Sequence, residues 1–380
     1  MTLSDQEKLR YSRHLNLPMF GLEVQEKLKN SKVLVVGTGG LGAPLLQYLT
    51  AVGVGTIGVV DFDVVDESNL QRQVLFGSHD IGKSKTSVAI AKLKLQNPFV
   101  TFLEFNVKLE ASNALAIIEQ FDAVADGTDN FPTRYLVNDA CVLTGKPNIY
   151  ASIYRFEGQV SVFNWINNEG LLGPNYRDIF PTPPPPGMVP NCAEGGVLGV
   201  LPGIIGSIQA SEVIKVLTGI GAPLSGKLFL FDVLDFSTRV LNIKRDPLNP
   251  LNGIIPSITE LIDYEEFCGL KQLTTIEVLA PQDLHRRILE GEALCLIDVR
   301  EEEEFHQANI GGKWIPLNEI ERRFDEIPKS GTVVLICKSG QRSATAIRRL
   351  IDQQGYQNLC NLEGGLIAWK RVISPDLNLF

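Results

Sequence analysis

The stretch KVLVVGTGGLGAPLLQYLTAVGVGTIGVVDFD, residues 32–63, decides how the chain folds. It reads as strand, glycine turn, helix, strand. Residues 32–36 form an apolar run without alternation, the pattern of a parallel strand buried on both faces. Gly37, Gly39 and Gly42 follow at G-x-G-x-x-G spacing. That spacing permits a tight turn, close approach of backbone to a phosphate, and tight packing of the next helix. The helix is expected over 41–52, with its first N–H groups and positive dipole end aimed at whatever lies over the turn. A second apolar run, 57–60, ends at Asp61, where the ribose of a nucleotide would be met. Glycine-rich turns also join strands to helices for steric reasons alone, so the pattern draws its meaning from both strands and Asp61 together. Together they predict a nucleotide site.

A chain of 380 residues is long for one core and comfortable for two domains. Its formal charge of −9 argues against nucleic-acid binding as its main business. The six cysteines, at 141, 192, 268, 295, 337 and 360, show no C-x-x-C pair and no regular spacing, which predicts reduced thiols in a cytoplasmic protein. The N-terminal MTLSDQEKLRYSRHL lacks the apolar centre of a signal peptide. The most apolar stretch, 195–208, is interrupted by Pro202 and followed closely by Gln209, Glu212 and Lys215. It is expected to be a buried helix and not a membrane span.

Residues 1–31 read as one or two amphipathic helices carrying Tyr11, Arg13 and His14. After Asp61 the chain runs DFDVVDESNLQRQ, residues 61–73, gathering carboxylates, Asn69, Gln71 and Arg72 in one irregular segment unlike a nicotinamide enzyme's next βα unit. Lys85 follows on a helix capped near Ser84. Arg72 and Lys85 together suit the spread negative charge of a triphosphate, although each taken singly reads as a surface cation. An apolar strand at 121–125 leads into DGTDNFPTR, placing Asp129 and Asn130 at the carboxyl end of a parallel strand, where open α/β sheets bind ligands. A carboxylate there can hold Mg²⁺ against phosphate oxygens; helix capping by Asp129 or Asn130 is the plainer role, and the two are compatible.

These motifs, with NCAEGGVLG at 191–199, resemble the ThiF/MoeB group of E1-like enzymes, which adenylate the C-terminal glycine of ubiquitin-like sulfur-carrier proteins. The resemblance covers residues 1–252. It implies that Gly40, Asp61, Asp63, Ser68, Asn69, Leu70, Gln71, Arg72, Lys85, Asp129 and Asn130 surround ATP and magnesium, with Asp129 on the metal. It implies that Arg13 reaches the ATP of a partner subunit in a homodimer. Cys192, after the proline run PTPPPPGMVP, matches a cysteine that forms a thioester or persulfide. The chain departs from the group in one respect. Where members often carry two C-x-x-C pairs on a structural zinc, this sequence has Asn175 and Asp178, then Asn249 and Asn252. Asn is a poor ligand for Zn²⁺, so no zinc is expected, and packing or hydrogen bonding should replace its cross-link.

Residues 253–275 read as a linker with a short helix, in which Cys268 is a small packed hydrophobe. A second α/β unit, 276–380, then begins. ALCLIDVREEEEF gives a strand ending at Asp298; TVVLICKSGQRSATAIRRLI gives a strand ending at Cys337, a six-residue loop, and a helix from Ser343. A cysteine at a strand end, faced by loop N–H groups and a helix N-terminus, is set up as a thiolate, and Arg342 adds positive potential. A buried strand-end cysteine is the alternative. With EGGLIAW at 363–369, this region resembles a single rhodanese domain, and its short loop suits a sulfane sulfur better than a phosphate.

The fold expected is thus a Rossmann-like, mostly parallel α/β domain followed by a smaller α/β rhodanese domain. The joined architecture resembles two-domain adenylyltransferase/sulfurtransferases. That implies ATP-dependent adenylation of a carrier ending in Gly-Gly, then sulfur transfer from a Cys337 persulfide loaded by a donor such as a cysteine desulfurase or thiosulfate. Two rivals are a stand-alone sulfurtransferase whose first domain merely binds the carrier, and a nicotinamide oxidoreductase. Which carrier is served stays open.

Overall fold

In the computed structural model, which describes residues 2–167, 169–185, 196–269 and 276–379, the run at 32–36 is strand β1, Lys32–Val36, buried at every position after Lys32. Its side chains alternate between two cores. Val33 and Val35 pack with Leu46 and Ile57 on one face; Leu34 and Val36 pack with Phe121 and Tyr135 on the other. Both faces are covered, so the strand carries no polar alternation, and each of these side chains contributes roughly 1.5–3 kcal/mol by burial.

β1 pairs in parallel with β2 (Thr56–Val60) on one side and β4 (Ala123–Asp126) on the other. β3 (Thr101–Phe105) and β5 (Asn148–Tyr154) extend the parallel set, and β6 (Glu157–Phe163), β7 (Lys227–Asp232) and β8 (Thr238–Asn242) add antiparallel strands. The sheet order is β3-β2-β1-β4-β5-β6-β7-β8. The chain winds outward from β1 in both directions, so a crevice opens beyond the carboxyl ends of β1 and β4.

The N-terminal segment forms three helices, α1 (Asp5–Arg10), α2 (Ser12–Leu15) and α3 (Gly21–Asn30), one more than the sequence pattern suggests. Ser4 and Glu7 close a capping box on the first, and Tyr11 breaks it from the second, its ring buried and its hydroxyl accepting from Asn97 Nδ2 at 2.9 Å. α4 (Gly42–Val52) follows the glycine turn; α5 (Lys85–Gln96) is capped by Ser84. After α6 (Ala114–Ile118), α7 (Phe131–Leu143) is capped by Asn130.

The apolar helix, α8, spans Leu201–Thr218, later than expected. Pro202 opens it and does not interrupt it, because the first turn needs no proline N–H. Two of its polar residues are buried and bonded: Gln209 Nε2 donates to the carbonyls of Asp126 and Ile149, both at 2.8 Å, and Glu212 accepts from Leu224 N. Part of the expected linker is fastened to this first sheet. α9 (Tyr264–Phe267) packs on α7, and Tyr264 donates to Asp139 Oδ2 at 2.9 Å. Arg177 binds the same carboxylate bidentately, at 2.9 and 2.7 Å, with its guanidinium over the rings of Tyr135 and Phe267.

The chain divides into two units, Met1–Lys271 and Gln272–Phe380. The second carries a five-stranded parallel sheet in the order β11-β10-β12-β13-β9. Its strands are β9 (Glu277–Leu279), β10 (Leu294–Asp298), β11 (Lys313–Trp314), β12 (Thr332–Ile336) and β13 (Leu359–Leu362). Its helices are α10 (Pro281–Leu289), α11 (Glu302–Gln307), α12 (Gln341–Gln354) and α13 (Gly365–Val372). α12 starts two residues before the expected Ser343. Among the described residues no helix is long and apolar enough to cross a membrane.

Candidate functional site

The crevice beyond β1 and β4 is a cleft whose empty space, including the part open to solvent, is about 940 Å³. Gly37, Gly39, Gly40, Asp129 and Asn130 all line it. Gly42 lies behind the turn, where a Cβ would sit 2.0 Å from the Gly37 carbonyl oxygen, so only glycine lets α4 approach this closely. Asp61 braces the turn: its Oδ2 accepts from Thr38 N at 2.8 Å and Thr38 Oγ1 at 2.6 Å, and its Oδ1 accepts from Asp63 N. Carboxylate oxygens take two donors each, which leaves Oδ1 room for a ribose hydroxyl.

Two cations, Lys85 and Arg72, line the cleft. Lys85 is buried, and its Nζ lies 2.8 Å from Asp63 Oδ2. Arg72 donates from Nη1 to the Ser68 carbonyl at 3.1 Å. The rest of the 68–71 run shapes the turn without lining the cleft. Ser68 N and Oγ donate to Asp66, Leu70 packs on the core, and the Gln71 backbone abuts Gly199. Asn69 Oδ1 accepts from Gln73 Nε2 at 2.8 Å. Gln73, one position past Arg72, is a cleft residue that sequence reasoning missed; it is buried, and its Oε1 has no partner among the described residues.

Asp129 is exposed, and among the described residues its carboxylate has no hydrogen-bond or ion-pair partner. Asn130 caps α7 by accepting from Thr133 N at 2.9 Å. Behind them Asp126 is fully buried: one oxygen accepts from Thr128 N and Oγ1, the other has no partner among the described residues, and burial pushes the carboxyl upward from its usual range. Arg134, also missed, lines the cleft, donates to the Thr128 carbonyl at 3.1 Å and lies over the Tyr150 ring. Arg13, on α2, is exposed and does not line the cleft of its own chain. Cys192 lies outside the described residues.

The four positions expected to lack zinc thiolates come together as hydrogen-bonding partners. Asn175 Nδ2 donates to Asn252 Oδ1 at 3.0 Å, and Asn249 Nδ2 donates to Asp178 Oδ1 at 2.7 Å, joining segments more than 70 residues apart. Asp178 also accepts from the backbone N–H groups of Asn175 (2.7 Å) and Asp246 (2.8 Å). Among the described residues no three His, Cys, Asp or Glu side chains cluster as metal ligands.

The second unit builds a different site. Cys337 follows β12 directly and is fully buried; Gly340 N donates to its Sγ at 3.1 Å, and Ser343 Oγ lies 3.2 Å from it. The same hydroxyl lies 2.6 Å from Asn361 Oδ1, while Asn361 Nδ2 donates to the Gly340 carbonyl. A hydroxyl has one proton, so Ser343 donates to Asn361 when the sulfur carries its own proton and can turn to a sulfur anion. The start of α13 holds the loop from behind, Leu366 N donating to the Cys337 carbonyl and Ile367 N to that of Lys338. A Cβ at Gly365 would lie 2.4 Å from the Cys337 oxygen, which explains a glycine there. Arg342 carries a counter-charge the sequence did not reveal: it binds Glu304 bidentately at 2.6 and 2.8 Å. Among the described residues, Cys141, Cys268 and Cys360 are buried thiols, and burial pushes those of Cys268 and Cys360 up to about 11.

The ThiF family model matches residues 11–251, and the rhodanese-like domain model matches residues 280–372. The chain is 47% identical to a probable adenylyltransferase/sulfurtransferase MoeZ of Mycobacterium tuberculosis over all of this chain and 96% of that one. It is 41% identical to the adenylyltransferase and sulfurtransferase MOCS3 of Xenopus laevis, covering 98% and 88% of the two chains. A sulfur carrier protein adenylyltransferase of Thermus thermophilus is 52% identical over 71% of this chain and the whole of that one. Among solved structures, E. coli MccB with ATP shares the fold at a TM-score of 0.55 and 24% identity, over 65% of this chain and 75% of that one. With a ThiF-type cleft in the first unit and a cysteine loop in the second, the chain belongs to the ThiF family and carries a C-terminal rhodanese-like domain.

Proposed function

We propose that this protein is an adenylyltransferase and sulfurtransferase that adenylates the C-terminal glycine of a ubiquitin-like sulfur-carrier protein and converts it to a thiocarboxylate. The observation that carries the reading is the pairing, in one chain, of a cleft lined by Arg72, Lys85 and an Asp129 without a partner among the described residues with a cysteine held in a hydrogen-bonding loop. A carboxylate is a poor electrophile, and bonding it to the α-phosphorus of ATP with loss of pyrophosphate makes it a good one. Arg72 and Lys85 stabilise charge on the phosphates as pyrophosphate departs. The free carboxylate of Asp129 is the hard oxygen donor that Mg²⁺ takes, and the metal would add neutralising charge at the phosphates. Asp61 takes the ribose through its remaining lone pair.

The sulfur then comes from Cys337. Its persulfide attacks the acyl-adenylate, releasing AMP and leaving an acyl-disulfide; a second thiol attacks the Cys337 sulfur and releases the thiocarboxylate as a disulfide forms. Cys192 is the candidate for that thiol. Arg13, exposed and not among the residues lining its own cleft, would serve a partner's cleft in a homodimer. The mutual hydrogen bonds of Asn175, Asp178, Asn249 and Asn252 support a chain that needs no structural zinc. The charge, thiol pattern and lack of a spanning helix among the described residues suit a cytoplasmic enzyme without membrane or nucleic-acid partners. Carrier-dependent ATP–pyrophosphate exchange tests the first half. It should be present in the wild type and fall by orders of magnitude in Lys85→Ala, since a charge contact of this kind is worth about 3 kcal/mol or more. Exchange absent from the wild type would leave the rival reading, a sulfurtransferase with an inert carrier-binding domain.

A further inference from the structure

The cysteine loop has two side-chain cations, Lys338 and Arg342, and only one of them is free. Both Nη atoms of Arg342 are engaged by Glu304, at 2.6 and 2.8 Å, and each side chain of the pair is about three-quarters buried, at 25% and 24% exposure. The Arg342 guanidinium holds the Glu304 carboxyl below the usual carboxylate range, so the pair is ionised at neutral pH. Lys338 pairs with no carboxylate among the described residues. Glu304 reaches the loop from α11, 38 positions upstream, and its neighbour Arg300 is committed to Asp298.

Sulfur donors differ sharply in charge. When the Cys337 thiolate attacks the outer sulfur of thiosulfate, the S–S bond breaks, its electron pair leaves with sulfite, and Cys337 becomes a persulfide. Three negative charges crowd the loop throughout that step. Attack on the protonated terminal sulfur of a cysteine persulfide expels a thiolate instead, and only one net charge is present. A loop with one free cation suits the second reaction.

We propose that Glu304 is a specificity determinant for the donor: by neutralising Arg342 it turns the loop away from dianionic sulfane donors and toward the persulfide of a donor protein. The inference rests on the reading of Cys337 as the sulfur carrier. The test follows persulfidation of Cys337 by intact mass under single-turnover conditions, in the full chain, with thiosulfate and with cysteamine persulfide, whose ammonium balances its charge. The ratio of the two second-order rate constants, thiosulfate over cysteamine persulfide, should rise roughly tenfold in Glu304→Gln. The rise should shrink with added salt and vanish in Glu304→Gln/Arg342→Ala. A ratio within twofold of wild type in a Glu304→Gln chain that still loads Cys337 overturns the proposal. Should that variant not fold, Glu304→Asp, which keeps the charge but shortens its reach, should raise the ratio in the same direction, and no change there overturns it equally. A wild-type chain that loads Cys337 from neither donor instead removes the underlying assignment of Cys337, and the inference falls with it.

Discussion

Asp178→Ala tests the polar cluster that occupies the place of a metal cross-link. The Asp178 carboxylate accepts three hydrogen bonds, from Asn175 N, Asp246 N and Asn249 Nδ2, at 2.7, 2.8 and 2.7 Å. The Asp246 N–H is near the surface and turns to water. The other two donors belong to residues at most 1% exposed and are left without acceptors. At about 1–3 kcal/mol for each orphaned buried donor, partly relieved by water entering the gap, the loss is roughly 3 kcal/mol. For a unit of this size that is a fall of roughly 6–12 °C in the transition midpoint. Two units need not unfold together, so calorimetry should be run with and without ATP to identify the transition that the nucleotide raises. A fall of less than about 1 °C in that transition would refute the reasoning. So would a chelator that lowers the wild-type midpoint as far as the mutation does, since that would reveal a metal there.

Three further outcomes are expected. Mixing Arg13→Ala with Lys85→Ala chains should restore pyrophosphate exchange, because a heterodimer holds one site with both residues; no recovery after confirmed subunit exchange would show that Arg13 does not act across subunits. Asp126 has a folded-state pKa raised by burial, so the native protein holds its proton where the unfolded chain has lost it. Stability therefore falls as pH rises from the ordinary carboxylate range through the raised value, and urea midpoints of Asp126→Asn should lack that slope between acid and neutral pH. Asn361→Ala removes both the acceptor for Ser343 and the donor to Gly340, and should slow persulfidation of Cys337 roughly tenfold while leaving pyrophosphate exchange at the wild-type rate.

The parts of this molecule legible in its sequence are those governed by local pattern. β1 ends where the apolar run ends, because a strand covered on both faces needs unbroken apolar side chains, and Asp61 and Asp129 follow from the strands that carry them. Pro202 misled because a helix start and a helix break look alike until the N–H accounting is known. Side-chain pairing across the fold was illegible. Glu304 read as one of four glutamates, yet it meets Arg342 across 38 positions. Asn361 and Ser343 are 18 apart, and Asn249 and Asp178 are 71 apart, with no periodicity to announce either pair. The acidic run EEEEF and the residue after Arg72 were on view, but only the fold selects Glu304 and Gln73 from their neighbours.

If one chain performs two chemistries in sequence on one carrier, Cys337→Ser should separate them. The measurement is the mass of the carrier after incubation with ATP, a persulfide donor and the variant, read for replacement of one carboxylate oxygen by sulfur. Cys337→Ser touches no residue of the nucleotide cleft, so carrier-dependent pyrophosphate exchange should persist while the thiocarboxylate falls to background. A variant that still yields thiocarboxylate at the wild-type rate would remove the second unit from the pathway and leave an adenylating enzyme joined to an unrelated domain.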